Sequence, residues 1–254
     1  MLRNGSFSEG WTDLEPAPGF LINQQPNGWT LRWLELGESL FGADDKASGV
    51  PECVHKLSRQ LPPNEQLGGN NALILEGDTT YKIFHATSPF GGELTQVVTG
   101  LQAGSHAKLT VPIQVHRHGD PDPYGAESGA WVNGEGHWVN SGDMGDRRWY
   151  EHVVEFTVPD NGTAEIVIRV KSKWPRPKDF FIDGVKLAAT AVSSDDDNTS
   201  GGLAPGRPGG GGAPAVEKTI HLSVPAGVRV ETEAGDKSNV VVVYVPPGYT
   251  VELN

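Results

Sequence analysis

Trp131 and Trp138 flank a Gly-Glu-Gly centre in the stretch WVNGEGHWVN, residues 131–140, where Trp-Val-Asn occurs twice. An indole is costly to leave in water, so the pair either fills a core or forms a surface that a flat, weakly polar ligand covers. The turn decides how the indoles meet. A two-residue turn at Gly134-Glu135, of type II′, pairs them directly on one face. A three-residue turn with Gly136 left-handed sends them to opposite faces. On one face they make a platform or a shared core patch. Sugar rings present flat C–H faces that stack on indoles, and the Asn133 amide offers hydrogen bonds to hydroxyls. Core packing is the simpler reading of either indole alone. The pair, flanked by Asn133, His137 and Asn140, favours a binding role for at least one.

The run AKLTVPIQVHRH, residues 107–118, is the second candidate. Ala107, Leu109, Val111, Ile113 and Val115 alternate onto one face of a strand, which must be core. Lys108, Thr110, Gln114, His116 and His118 take the other, with Pro112 between them. That face is either a row of sugar-binding donors and acceptors or an ordinary solvated surface. His116-x-His118 projects both imidazoles to one side, a spacing that suits a divalent metal, and Asp120, Asp122 and Glu127 follow. Histidines that only hydrogen-bond on a polar face are the simpler reading. Two prolines argue against an EF-hand-like loop at residues 120–125. Arg169, Lys171, Lys173, Arg176 and Lys178 surround Trp174, either as a charged edge that discourages strand pairing or as a contact for an anionic glycan. No phosphate loop, nucleophile elbow or paired zinc-ligand helix is present in the sequence.

Strands must position these residues. With 33 glycines and 19 prolines among 254 residues, short runs of Val, Thr and aromatics alternate with turn residues. This is an all-β pattern, a sandwich or barrel. Candidate strands are 28–35, 71–77, 80–86, 93–101, 107–118, the Trp hairpin, 149–159, 164–173 and 179–188. A body over residues 1–190 precedes a Gly/Pro-rich flexible linker, 191–215, too poor in apolar residues to order itself. The tail, 216–254, repeats LSVPAGVRVE as VYVPPGYTVE and contains the β-forming run SNVVVVYV. About 40 residues rarely build a core of their own, so the tail is expected to pack on something, a second copy included. A net charge of −12 argues against general nucleic-acid binding. No apolar run approaches the roughly 20 residues that span a bilayer, and no signal-peptide pattern is visible. The single cysteine, Cys53, excludes an intrachain disulfide.

Three motifs, in order, carry a resemblance across residues 3–188: RNGSFSEGW near the start, GELTQVVTGLQAGSHAKLTVPIQV in the middle, and RRWYEHVVEFTVPDNGTAEIVIRV followed by DFFIDGVKLA at the end. Together they resemble carbohydrate-binding modules of the galactose-binding-like jelly-roll type, the group attached to xylanases and β-glucanases. The resemblance implies an antiparallel jelly-roll β-sandwich that binds β-linked glycans on a concave face or at loop tips, without catalysis. The residues expected to meet the glycan are Trp131, Trp138, Gln114, His116, His118, Asn133, Tyr124 and Arg169. The resemblance also implies a structural calcium ion at Asp183. Its N-terminal acidic partner departs from the pattern, because Ser8 follows Phe7 and Glu9 stands one residue later. An extracellular, surface or virion location is expected, with homo-oligomers formed through residues 216–254. Two alternatives stand beside this reading. One is a structural jelly-roll subunit of a virion, filament or surface layer. The other is a metal-dependent or polysaccharide-cleaving enzyme built on His116, His118 and Glu127.

Overall fold

The computed structural model describes residues 1–15, 22–189, 229–233 and 240–244. Among these residues fifteen strands form: β1 Trp11–Asp13, β2 Gln24–Pro26, β3 Thr30–Trp33, β4 Glu52–Leu57, β5 Thr79–His85, β6 Phe90–Val98, β7 His106–His116, β8 Ala126–Val132, β9 Glu135–Asn140, β10 Trp149–Thr157, β11 Ala164–Ser172, β12 Lys178–Ile182, β13 Lys186–Ala188, β14 Arg229–Glu233 and β15 Val240–Tyr244. A short helical turn, Ser141–Met144, is capped by the Asn140 side chain. The chain divides into two compact units, Met1–Thr199 and Ser200–Asn254.

The first unit is an antiparallel jelly-roll sandwich. One sheet has the order β10-β7-β12-β5-β4, with β13 also pairing β7; the other has the order β3-β6-β11-β8-β9. From β6 to β8 and again from β10 to β12, successive strands cross from one sheet to the other. β7 behaves as its pattern predicts. Ala107, Leu109, Val111, Ile113 and Val115 are all at most 1% exposed and face the core. Complete burial of each branched side chain is worth about 1.5–3 kcal/mol. Leu94, Ile168 and Val170 belong to the facing sheet of the same core, and Phe180 and Ile182 extend it from the neighbouring β12.

The first and last motifs meet at one end. Phe7 stacks between Trp29 and Tyr81, at centroid distances of 6.0 and 5.4 Å. Buried Asn4 donates to the Asn27 and Gly10 carbonyls and accepts from the Glu9 N–H. A Cβ at Gly5 would lie 2.2 Å from the Val185 carbonyl oxygen, so only glycine allows this approach.

Two sequence expectations change. Residues 71–77 form no strand. The N–H groups of Leu75 and Glu76 donate to the Asp183 carboxylate, and those of Asn71 and Leu73 turn back to Asn64 and Glu65 carbonyls, so no ladder can form. They belong instead to the long connection from Ser58 to Asp78, whose Leu73 and Ile74 are buried. Conversely, β4 was not legible, because Glu52-Cys53-Val54-His55 is buried at Cys53, Val54 and His55 alike and does not alternate. In the second unit, β14 and β15 pair antiparallel from Arg229↔Tyr244 to Glu233↔Val240. The linker and both Val-Pro-x-Gly turns lie outside the described residues.

Candidate functional site

The hairpin β8–β9 turns at Asn133-Gly134, one residue earlier than Gly134-Glu135. Both turn residues have positive φ, 51° and 85°, the requirement of a type I′ turn, for which Asn-Gly is the preferred pair. Asn133 is also held from the side: its amide oxygen accepts from the Glu165 N–H, and its own N–H donates to the Glu165 carbonyl, both at 2.9 Å. Asn133 therefore serves the turn.

This register pairs Trp131 with Gly136 and Trp138 with Gly129. The indoles meet on the diagonal, edge to face, with centroids 4.9 Å apart and planes at 71°. Ala130 and Val132 point into the core, so both indoles stand on the outer face. The glycines make the room: a Cβ at either Gly129 or Gly136 would come within 2.6 Å of the Trp131 ring. Trp131 is left 8% exposed, and Trp138 is half-buried above it. Phe41, in the connection after β3, lies 5.6 Å from Trp138. It is seated by a small cluster of Leu34, Leu40 and Ala47.

Charged side chains interleave with these rings. Arg169 on β11 places its guanidinium 5.1 Å from the Trp131 ring and 5.2 Å from Phe41, and donates to Glu93 on β6 at 2.5 Å. Lys171 lies 4.0 Å from the Trp138 ring and 2.9 Å from Glu127. Lys173 binds the other Glu127 oxygen at 2.5 Å. Burial works to raise the Glu127 carboxyl, but the two lysine ammoniums hold it below the usual range. Cations over indole faces contribute about 0.5–2 kcal/mol and fix the rings in place. The outer face of this sheet is thus an aromatic patch with fixed donors and acceptors between its rings. Phe41 and Glu93 were not singled out in the sequence, and Lys171 was named only in the cationic run around Trp174. The Gly129-x-Trp131 and Gly136-x-Trp138 spacings were the available clue.

The predicted polar strand lies elsewhere. β7 belongs to the opposite sheet, so Gln114, His116 and His118 do not share a surface with Trp131, Trp138 and Arg169. The expected single site is two surfaces. On β7 the His116 Nε2 meets the Gln114 Oε1 at 2.7 Å, and the His118 Nε2 meets Asp179 at 2.9 Å. Asp179 also pairs with Lys82 at 3.3 Å. The Ser58–Asp78 connection folds over this face, and its Ala72 carbonyl accepts from the Trp149 indole N–H at 2.8 Å. Between roof and sheet lies a pocket of about 300 Å³, lined among others by His116, His118, Lys82, Asp179, Phe181 and Arg147. Burial, assisted by Arg147, lowers the His116 pKa to about 4, so its imidazole is neutral near pH 7.

The remaining expectations separate by position. Tyr124 is 61% exposed in the β7–β8 connection and belongs to neither surface. Glu127 sits on the sheet opposite the histidines and is bound by two lysines, so the set His116, His118, Glu127 is not assembled. Among the described residues, no group of three or more His, Cys, Asp or Glu is placed to hold a metal. The Asp183 and Glu9 pair does not fit calcium. The buried Asp183 carboxylate accepts from the N–H groups of Leu75, Glu76 and Gly184 at 2.6, 3.1 and 2.7 Å. A cation there would face the positive ends of these dipoles, whereas calcium takes six to eight oxygens. Glu9 is exposed, and its backbone alone is engaged, by Asn4 and Asn27. Burial raises the Asp183 pKa to about 7 against the pull of the three N–H groups. Ser128 and His152 make a 2.8 Å contact of a kind that nucleophilic catalysis uses, but both are buried in the core and His152 Nδ1 has no partner.

No family model matches the chain, and no curated protein does. Solved structures similar to it include carbohydrate-binding modules of the β-sandwich type and a phage protein. TmCBM61 in complex with β-1,4-galactotriose is 16% identical, covering 74% of this chain and 97% of its own, with a TM-score of 0.45. The CBM22-1 xylan-binding domain of Paenibacillus barcinonensis Xyn10C is 12% identical over 74% of this chain and 94% of its own, with a TM-score of 0.35. The enzymatically active domain of tailspike protein 4 from bacteriophage CBA120 is 12% identical over 64% of this chain and 19% of its own, with a TM-score of 0.39. At these scores the ligand has to be argued from the side chains of this chain. No helix among the described residues is long and apolar enough to cross a membrane.

Proposed function

We propose that the first unit is a non-catalytic carbohydrate-binding module that holds a β-linked glycan on the outer face of the β3-β6-β11-β8-β9 sheet. The observation that carries this reading is the Trp131–Trp138–Phe41 cluster, with Arg169, Lys171, Glu93 and Glu127 set between its rings. Trp138 and Phe41 present partly open ring surface to the C–H faces of pyranose rings. Arg169, one-third exposed, donates to hydroxyls and the partly open Glu127 accepts from them, while the buried Glu93 and Lys171 hold these two in place. The side chains are locked to one another before a ligand arrives, so little rotamer entropy is lost on binding. Each of the two carboxylates is bound by a cation, an arrangement suited to hydrogen bonding and poor for proton transfer. An extracellular or surface setting, where structural glycans lie, follows from this reading, and self-association through residues 216–254 would multiply weak sites.

A glycan array followed by calorimetry tests the proposal. A β-linked oligosaccharide should bind with a dissociation constant between about 1 μM and 1 mM, roughly −8 to −4 kcal/mol. Trp138→Ala and Arg169→Gln should each weaken it more than tenfold. An array without any hit, or a hit unaffected by both substitutions, overturns the assignment to this face.

A further inference from the structure

The roofed pocket on the opposite sheet has a different chemistry. Lys56, Lys82 and Arg147 line it against Glu65 and Asp179, which leaves a single positive charge in a chain of net charge −12. Lys82 is paired with Asp179, but neither Lys56 nor Arg147 forms an ion pair with any described carboxylate. Arg147 is presented by a constrained turn. It has φ 54°, its N–H donates to the Val115 carbonyl at 2.8 Å, and the preceding Asp146 carboxylate accepts from the Arg117 N–H at 2.7 Å. A non-glycine residue held there is strained, and such strain collects at ligand sites. Phe181, Leu61, Pro62 and Leu73 supply apolar surface beside these charges.

We propose that this pocket is a second binding site, independent of the aromatic face, that takes one sugar-acid residue through its carboxylate. The single excess positive charge matches a monoanion rather than a phosphate dianion. A guanidinium binds a carboxylate through two parallel N–H bonds, and Lys56 adds a point charge. The volume, about 300 Å³, lies at the lower limit of small-molecule sites and suits one pyranose ring rather than a chain. Gln60, Glu65 and the neutral His116 remain for its hydroxyls, and Phe181 with Leu73 for its C–H face. The two surfaces lie on opposite sheets, so occupancy of one leaves the other open.

Calorimetry on the full chain tests this with galacturonate and glucuronate, against galactose, glucose, acetate and inorganic phosphate. One uronate should bind at least tenfold more tightly than its neutral hexose and than acetate, and added salt should weaken it. Arg147→Gln and Lys56→Gln should each weaken it at least fivefold, while Trp138→Ala leaves it within twofold. Lys56 is half-exposed, so its substitution decides the matter if the Arg147 variant does not fold. Equal affinity for uronate and hexose overturns the proposal, as does uronate binding insensitive to Lys56→Gln. Acetate or phosphate bound as tightly as the uronate would reduce the pocket to an unspecific anion site and overturn it equally.

Discussion

The two indoles of the hairpin are close together yet differ in what they contribute. Trp131 is 8% exposed and fills the space above Gly129 and Gly136, whereas Trp138 is half-buried and keeps an open ring. Trp131→Ala should therefore cost about 3 kcal/mol of stability and weaken glycan binding with it. Trp138→Ala should cost less than about 1.5 kcal/mol and still abolish most binding. Chemical denaturation beside calorimetry separates the two, and equal stability losses would remove the distinction. Among the histidines, His55, His116 and His152 are all buried, and burial lowers each from 6.5 to about 4. Between those limits the unfolded chain binds more protons than the folded one, so stability falls as pH is lowered from 6.5 toward 4. Asp183 opposes this. Its folded carboxyl is raised from 3.8 to about 7, so its contribution is present below 3.8 and lost as pH rises through 7. Three imidazoles outweigh one carboxyl at about 1.4 kcal/mol per pH unit each. Unfolding midpoints in denaturant should rise from pH 4.5 to 6.5, and a flat or falling profile would contradict the assigned burial. None of these burials was legible residue by residue. His116 was read as open on a polar face because alternation says which side a side chain takes, not what folds over that side.

Period-two alternation in the sequence was a reliable guide wherever a strand has one wet face. It placed β5, β6, β7, β10 and β11 within a few residues, because each has core positions at regular spacing, but it ran β12, buried at all five positions, together with β13 as one strand over 179–188. It missed β4, which is covered on both faces, and it proposed a strand at residues 71–77 whose N–H groups are taken by Asp183 instead. The turn of the Trp hairpin shows why register is harder still. Three glycine-containing turns fit the same letters, and the choice falls on Asn133-Gly134 because Asn133 is held by Glu165 on the neighbouring β11. This gives a prediction for the element. Asn133→Ala should destabilise the unit by roughly 2 kcal/mol, about half from positive φ and half from the lost hydrogen bond. Asn133→Gly keeps the conformation available and should cost about 1 kcal/mol. Neither should change glycan affinity beyond what a shifted platform implies, in contrast to the sugar contact expected of Asn133 from sequence. A reverse order of stability would mean that the turn is not of type I′.

At the scale of the whole chain, sandwich connectivity explains why the candidate residues sorted onto two surfaces. β6, β8 and β11 lie in one sheet and β7, β10 and β12 in the other, so neighbours in sequence such as His118 and Trp131 end on opposite outer faces. Composition points to a sandwich or a barrel but not to which strands share a sheet, since both sheets have the same alternation. The sandwich so formed carries an open aromatic face on one sheet and a small roofed pocket on the other, and the glycan sites proposed there would each bind weakly. The second unit bears on this weakness. Its Val240–Tyr244 strand is a continuous β-branched run ending in Tyr, paired with β14, and two short strands alone are marginal in water. The proposed self-association through residues 216–254 would set a second copy of the same unit against them. Copies joined this way would bind a polymeric glycan with an apparent affinity raised 10²–10⁴-fold when the spacing of sites permits both to engage. Sedimentation of the full chain beside a truncation ending at Ala189 tests it. The full chain should be a concentration-dependent oligomer at micromolar concentrations and the truncation a monomer, with equal affinity for a short oligosaccharide and a large deficit of the truncation on polymer. If both sediment as monomers, the paired strands are covered by their own chain or by another protein, and avidity plays no part in recognition.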